Sequence, residues 1–321
     1  MSTEIASVSP GVACLGIMVA DVVGHPVRRI PGPGRLVLVD EIQLHTGGCA
    51  VNVATVLARL EIPVEVIGKV GRDPFGDFLC AQLAERGIGS RGVSRDADVG
   101  TSATMVMVAP DGERRFVHFL GANARLMLDD VDLAWLSETQ ILHVAGSLVL
   151  PGLDGEPTVR LLKAAQSRGV TTFLDTVWDD TGQWMQLLGP ALSYVDYFVP
   201  SLPEAQALTG LQAPDEVAQA LLAQGVGTVA LKMGADGCLV AAQDGRTLRA
   251  AAYQVEAVDA TGAGDAFAAG FIAGVWHGWA LEKTARFANA VGALCVTGLG
   301  AAGGVRSLAE TRAFMVTTPT L

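Results

Sequence analysis

Apolar and polar residues alternate along this chain in two rhythms. Short runs rich in β-branched residues recur at Val12–Val19, Val64–Val70, Ile141–Ala145, Thr171–Val177, Tyr197–Val199 and Val229–Lys232. They are apolar almost throughout, as strands covered on both faces are. Between them the spacing is helical: Val53, Ala54, Leu57 and Leu60 share one face of a helix over 51–60, and the segment 76–86 is closed by Gly87, a residue suited to a helix C-cap. Strands alternating with helices in this way predict βαβ units and a mostly parallel sheet with helices on both faces.

Two stretches break the alternation. Between Asp21 and Gly47 a turn, Pro31-Gly-Pro-Gly34, precedes an apolar strand over Leu36–Leu44, with no helix. Between Thr101 and Leu120, segments 103–109 and 115–120 flank Pro110-Asp-Gly-Glu113, the composition of a hairpin turn. Strands without crossover helices fit a separate small sheet that both insertions build together, a lid following the first and third strands of the body. Gln243-Asp-Gly-Arg246 predicts a second hairpin inside the body.

Composition narrows the class. With 22 Lys+Arg against 33 Asp+Glu the net charge is −11, and the pI near 4.9 lacks the basic footprint of a nucleic-acid binder. Mean hydropathy of +0.39 raises the membrane question. The uncharged stretch Ala266–Leu281 is too short to cross about 30 Å of hydrocarbon, and Phe287–Val305 ends in a glycine-rich run that holds no helix. Glu4, with no Lys or Arg before Arg28, argues against a secretory signal. The scattered cysteines (14, 49, 80, 238 and 295) include no Cys-x-x-Cys pair, so a reducing cytoplasm is the expected compartment.

The strongest chemical signal is Val258-Asp-Ala-Thr-Gly-Ala-Gly-Asp265, where a strand-like segment over 252–258 passes into a helix carrying Phe267, Phe271 and Val275 at i, i+4, i+8. Glycines at a helix start let amides converge, and the helix dipole favours anions there, so an anion hole is expected at Gly262, Ala263 and Gly264. Asp265 in the first turn has two readings. It is a base beside a bound anion, or an ordinary acid at a helix N-terminus.

Asp259-Ala-Thr-Gly-Ala-Gly-Asp265 resembles the Asp-Thr-x-Gly-Ala-Gly-Asp signature of the ribokinase or PfkB-type carbohydrate kinases, with Ala260 in place of the first Thr. Gly47-Gly-Cys-Ala-Val-Asn-Val-Ala54 is similar to that family's Gly-Gly-x-x-x-Asn-x-Ala, and the two signatures lie in family order more than 200 residues apart. The resemblance runs from Cys14 to about Leu308. It implies an α/β fold, a ribokinase-like three-layer αβα sandwich over one domain, residues 1–321, with a lid from insertions at about 22–46 and 100–120.

The resemblance also implies roles. Asp21, at the end of the first strand, matches the sugar-binding Asp; Gly47 and Gly48 bring substrate to backbone amides, and Asn52 offers its amide to the sugar. Asn123 would touch substrate or serve a turn, and His45 and His118 fall in lid segments. Cys49 stands where ribokinase carries a lysine, which leaves the sugar open. Pro200-Ser-Leu-Pro-Glu204 is similar to Pro-Asn-x-x-Glu, so Ser201 and Glu204 would serve the nucleotide, Glu204 holding Mg²⁺ through water or simply capping a helix. Lys232, Gly234 and Gly237 match the strand and turn beside ATP, and Asn289 a helical residue flanking adenine. Asp259 and Thr261 match positions that hold a monovalent cation in many members, implying K⁺ with carbonyls between Val296 and Val305.

The implied activity is phosphoryl transfer from Mg·ATP to a hydroxyl of a small sugar or sugar acid, with Asp265 as base and its pKa lowered by the helix end. A nucleoside kinase of the same family is the alternative, and a non-catalytic sugar- or nucleotide-binding regulator the remote one. The expected partners are a small polyol, ATP and a second copy docked through the lid. Neither nucleic acid nor membrane is expected.

Overall fold

The computed structural model describes residues 11–321; Glu4 and the reading of the N-terminus that rests on it lie outside the described residues. The first half of the chain runs β1 (Val12–Gly16), β2 (Val19–His25), β3 (Glu41–Gly47), α1 (Cys49–Arg59), β4 (Val64–Gly71), α2 (Pro74–Glu85), β5 (Gly89–Asp96), β6 (Ala103–Val108) and β7 (Arg114–Phe119). After α3 (Leu133–Leu136), strands and helices alternate: β8 (Ile141–Ser147), α4 (Glu156–Gln166), β9 (Thr171–Thr176), α5 (Trp184–Leu192), β10 (Tyr197–Phe198), α6 (Leu202–Thr209), α7 (Pro214–Ala223) and β11 (Thr228–Lys232). The hairpin β12 (Cys238–Ala242) and β13 (Thr247–Ala250) precedes α8 (Ala263–Trp276), α9 (Leu281–Val296) and α10 (Leu308–Thr317).

Nine strands form one sheet in the order β13-β12-β11-β10-β9-β8-β1-β4-β5, parallel except where β12 pairs antiparallel with both neighbours. β1 shows how the layers arise. Val12 and Cys14 join one apolar cluster with residues of α1, α2, α8 and α9, whereas Ala13 and Leu15 join another with residues of α4 to α7. A strand buried on alternate sides by two separate cores is the central layer of an αβα sandwich, which explains its unbroken apolar run.

The remaining four strands make a second sheet, ordered β3-β2-β6-β7. Three boundaries differ from expectation. The run Val12–Val19 is divided, because the Asn123 carboxamide holds the Met18 N–H (3.1 Å) and C=O (3.0 Å) and the chain there leaves the large sheet for the small one. Asp21 therefore lies within β2 of the small sheet and not at the end of β1. The strand expected over 36–44 begins only at Glu41, since its partner ends where Glu41 meets His25, next to Pro26. Leu36 and Leu38 are left 78% and 82% exposed. The segment 252–258 forms no strand, and among the described residues its only ladder contact is a bridge from Tyr253 to Thr320.

Among the described residues no helix is long and apolar enough to cross a membrane.

Candidate active site

The chemistry-bearing side chains gather at the C-terminal edge of the parallel strands, where α/β sheets bind ligands. Gly262 caps α8 with φ +74°, and any Cβ there would meet Ala301 at 2.5 Å, so the approach to the helix requires glycine. Of the three amides expected to bind an anion, Ala263 is partly spent on Ala260 O (3.3 Å). Those of Gly262 and Gly264 have no protein acceptor among the described residues. A Cβ added to Gly264 would lie 3.4 Å from Lys232 Nζ, which places a buried ammonium beside those amides.

Lys232 ends β11, and its ammonium donates to both oxygens of Asp175 at the end of β9, at 2.9 and 2.7 Å. Asp175 belongs to no motif of the sequence and lies in an apolar run; its signal there is an acid at the end of a predicted parallel strand. Glu204 and Ser201 form a reciprocal cap at the start of α6. The Ser201 amide donates to Glu204 Oε2 at 2.8 Å, and the Thr176 hydroxyl adds a second bond at 3.2 Å. Capping thus occupies one oxygen of Glu204 and leaves Oε1.

Asp265 receives a hydrogen bond from Asn52 Nδ2 at 2.8 Å. Its pKa lies above the ordinary carboxylate value because burial outweighs the Asn52 bond, the Lys232 charge and the Cys49 thiol bond. The expectation that a helix N-terminus would lower it fails for that reason. Burial likewise pushes Asp175 up to about 7 against the pull of Lys232, with Glu204 adding to the rise. Burial opposes the charge of Lys232, yet Asp175, Glu204 and Asp265 outweigh it and hold the ammonium above its usual pKa. Three acids around one ammonium leave a surplus of negative charge.

Such a surplus fits Mg²⁺, which takes one or two carboxylates and fills its shell with water and phosphate oxygens. Among the described residues no group of three or more metal-ligating side chains is poised to bind a metal unaided. Asp259 and Thr261, the positions of the implied K⁺ site, have protein partners. Asp259 pairs with Arg114 of β7 at 2.6 Å and accepts from the Thr261 and Gly300 amides at 2.9 and 2.8 Å. Burial works against the Asp259 charge, but the Arg114 bond and these amides hold its pKa down at about 2. Arg114 also donates to the Thr261 hydroxyl.

Across the small sheet, pairing sets His45, Asp21, Thr104 and His118 directly opposite one another on β3, β2, β6 and β7. Burial raises the Asp21 pKa, and Thr104, His118 and His45 pull it back. Thr104 Oγ1 lies 3.0 Å from His118 Nδ1. If the Thr104 hydroxyl donates to Asp21, it accepts from His118 Nδ1–H, which leaves Nε2 free. A Cβ on Gly47 would collide with the Asp21 carboxylate, so Gly47 permits that close contact. Gly48 is the N-cap of α1 and accepts the Asn52 amide at 2.9 Å.

Two expected ligand contacts are committed elsewhere. Asn123 is fully buried, with both halves of its carboxamide on Met18, so it shapes the crossing between sheets. Asn289 Nδ2 donates to the Ala250 and Ala251 carbonyls at 2.8 and 3.0 Å, tying α9 to the end of β13. Gly234 and Gly237 bound the short turn between β11 and β12.

A family model described as pfkB family carbohydrate kinase matches residues 9–307. Fructokinase-1 of Oryza sativa is 28% identical, covering 79% of this chain and 83% of its own. The 5-dehydro-2-deoxygluconokinase of Clostridium perfringens is 26% identical over 78% of each. The structure of Arabidopsis thaliana ribokinase complexed with ribose and ATP superposes with a TM-score of 0.83 at 26% identity, covering 95% of this chain and 98% of that one.

Proposed function

The chain belongs to the pfkB family of carbohydrate kinases, and we propose that it transfers the γ-phosphoryl group of ATP to a hydroxyl of a small sugar or sugar acid. The observation that carries this reading is the meeting of Asp265, held by Asn52, with free amides at the start of α8 and the Lys232 ammonium. The amides and Lys232 would stabilise charge on the transferred group, and Asp265 would orient the hydroxyl and accept its proton. A raised pKa suits a general base better than an ordinary aspartate, because it lies nearer the working pH. Mg²⁺, held through water by Glu204, would neutralise the ATP phosphates.

The small sheet is the lid. Its polar row around Asp21 offers carboxylate and imidazole acceptors to sugar hydroxyls, and its closure excludes water that would otherwise take the phosphoryl group. Its opposite face is apolar and serves a homodimer. The unpaired cysteines suit a reducing cytoplasm.

ADP release across ribose, fructose, sugar acids and nucleosides tests the reading. Turnover on a sugar or sugar acid supports it. Turnover on nucleosides alone moves the chain to nucleoside kinases, and sugar binding without ADP release makes it a regulator.

A further inference from the structure

Beside the phosphate amides, where a monovalent cation would sit, several of the oxygens within its reach already accept protein donors, two of this chain's own arginines among them. On the lid side, Arg114 pairs with the buried Asp259 carboxylate and bonds the Thr261 hydroxyl. On the body side, Arg59 at the end of α1 donates to the Ala302 carbonyl and, at 3.0 Å, to that of Val305. The Ala301 carbonyl accepts the Cys295 thiol at 3.3 Å, the Gly300 carbonyl the Gly303 amide at 3.0 Å, and the Val296 carbonyl the Val258 and Asp259 amides at 2.7 and 3.1 Å. A cation must exchange its hydration shell for a set of oxygens, and here the Asp259 carboxylate, the Thr261 hydroxyl and five carbonyls between Val296 and Val305 already face protein donors. Charge argues the same way. One carboxylate, Asp259, is met by one guanidinium, and a second cation placed beside Arg114 would be repelled by it.

We infer that Arg114 is the resident cation of the phosphoryl-transfer site, delivered by the lid, and that the reaction needs no K⁺ or other monovalent ion. The inference rests on the kinase reading above. Arg114 opens β7 on the same face of the lid as Asp21, because Arg114 pairs with Val108, and alternate residues of β6 and β7 lead back to Thr104 and His118. The sheet that would read the sugar therefore also brings the positive charge to the turn Asp259-Ala-Thr261 that leads into Gly262. Arg114 acts through Asp259 and Thr261, as a positioning residue. Its planar fork fixes both partners at once, which a spherical ion does not.

Thermal unfolding is compared in KCl and in choline chloride at equal ionic strength, with ADP release measured in the same salts. The wild-type chain is expected to melt at one temperature in both salts and to turn over within about twofold in both. Arg114→Ala is expected to gain a K⁺-specific rise in Tm, to lose about tenfold or more in kcat in choline chloride, and to recover part of it with K⁺ or guanidinium. Arg114→Lys keeps the charge but not the fork, and should fall between wild type and Arg114→Ala in choline chloride. A K⁺-specific rise in Tm of the wild type, its activation by more than about fivefold, or an Arg114→Ala variant as fast as wild type in choline chloride overturns the inference. If no sugar or nucleoside yields ADP, the kinase reading fails, while the melting comparison still decides whether Arg114 fills the cation position.

Discussion

Asn52 Nδ2 and Asp265 Oδ2 stand 2.8 Å apart although 213 residues separate them in the chain. The bond joins the first turn of α1, which follows Gly47 and Gly48, to the first turn of α8, which follows the anion hole. It orients the carboxylate and favours its charged form against burial.

Asp265→Ala should lower kcat by about 10²–10⁴ with near-normal binding of both substrates. More than about a tenth of wild-type turnover in that variant rules out the base assignment. Asn52→Ala should cost about tenfold in kcat and, because a bond that lowers the Asp265 pKa is gone, move the acid limb of the rate profile to higher pH. A residue that only binds sugar would raise KM and leave that limb in place.

The Lys232–Asp175 pair is buried on both sides, with side chains 13% and 5% exposed. Lys232→Met would strand Asp175 in the sheet edge at a cost of about 3–5 kcal/mol, while removing the ammonium beside Gly264. The double variant Lys232→Met/Asp175→Leu should recover most of the lost Tm, because no unpaired charge remains, yet still bind ATP weakly. Calorimetry and an ATP titration separate the two effects. Restored ATP affinity in the double variant would show that Lys232 matters only to stability.

The parts of this molecule legible in its sequence are those governed by local pattern. β1 is buried on both faces and reads as an unbroken apolar run; α8 announces itself by its phenylalanine spacing, and the hairpin between β6 and β7 by Pro110-Asp-Gly-Glu113. The late start of β3 is not legible, because strand length there is fixed by its partner ending at His25. Asn123 and Asn289 are ordinary polar residues in the sequence, and only tertiary packing shows the Asn123 carboxamide and the Asn289 Nδ2 group spent on backbone. Asp175, Arg59 and Arg114 escape for the same reason: each acquires its task from a partner 57 or more residues away. The Asp265 pKa shows a local rule overruled, as burial outweighs the helix end.

His143 on β8 is fully buried, edge-on to Phe173 at 6.4 Å, and neither ring nitrogen has a partner among the described residues. Burial, with the Lys232 charge adding to it, pushes its pKa down to about 3. The unfolded chain takes up this proton near pH 6.5 and the folded chain does not, so stability falls as pH drops through 6.5 toward 3. Between pH 6.5 and 5 this one residue should cost about 2 kcal/mol. His143→Leu should remove that share and leave kcat unchanged. Urea unfolding at the two pH values measures it, and an equal loss in both proteins would mean that other groups set the acid limb.

The outward face of the lid carries the last prediction. Leu44, Val22, Met105 and Val117 stand opposite one another across the four strands, one residue out of step with His45, Asp21, Thr104 and His118. Met105, Val117 and the flanking Ile42 and Phe119 are more than half exposed, at 55%, 51%, 68% and 55%. A contiguous apolar sheet face left exposed is suited to docking, and a second copy that matches it about a two-fold axis would bury it, at about 800 Å² per partner for a stable pair. Light scattering should give twice 33.2 kDa. Met105→Glu with Val117→Glu sets like charges against each other across the axis and should yield monomers. Because the two rows share a backbone, losing the partner should loosen the Asp21 row and raise KM for the sugar while leaving KM for ATP near normal. A monomeric wild type, or a dimeric double variant, would refute the role of this face.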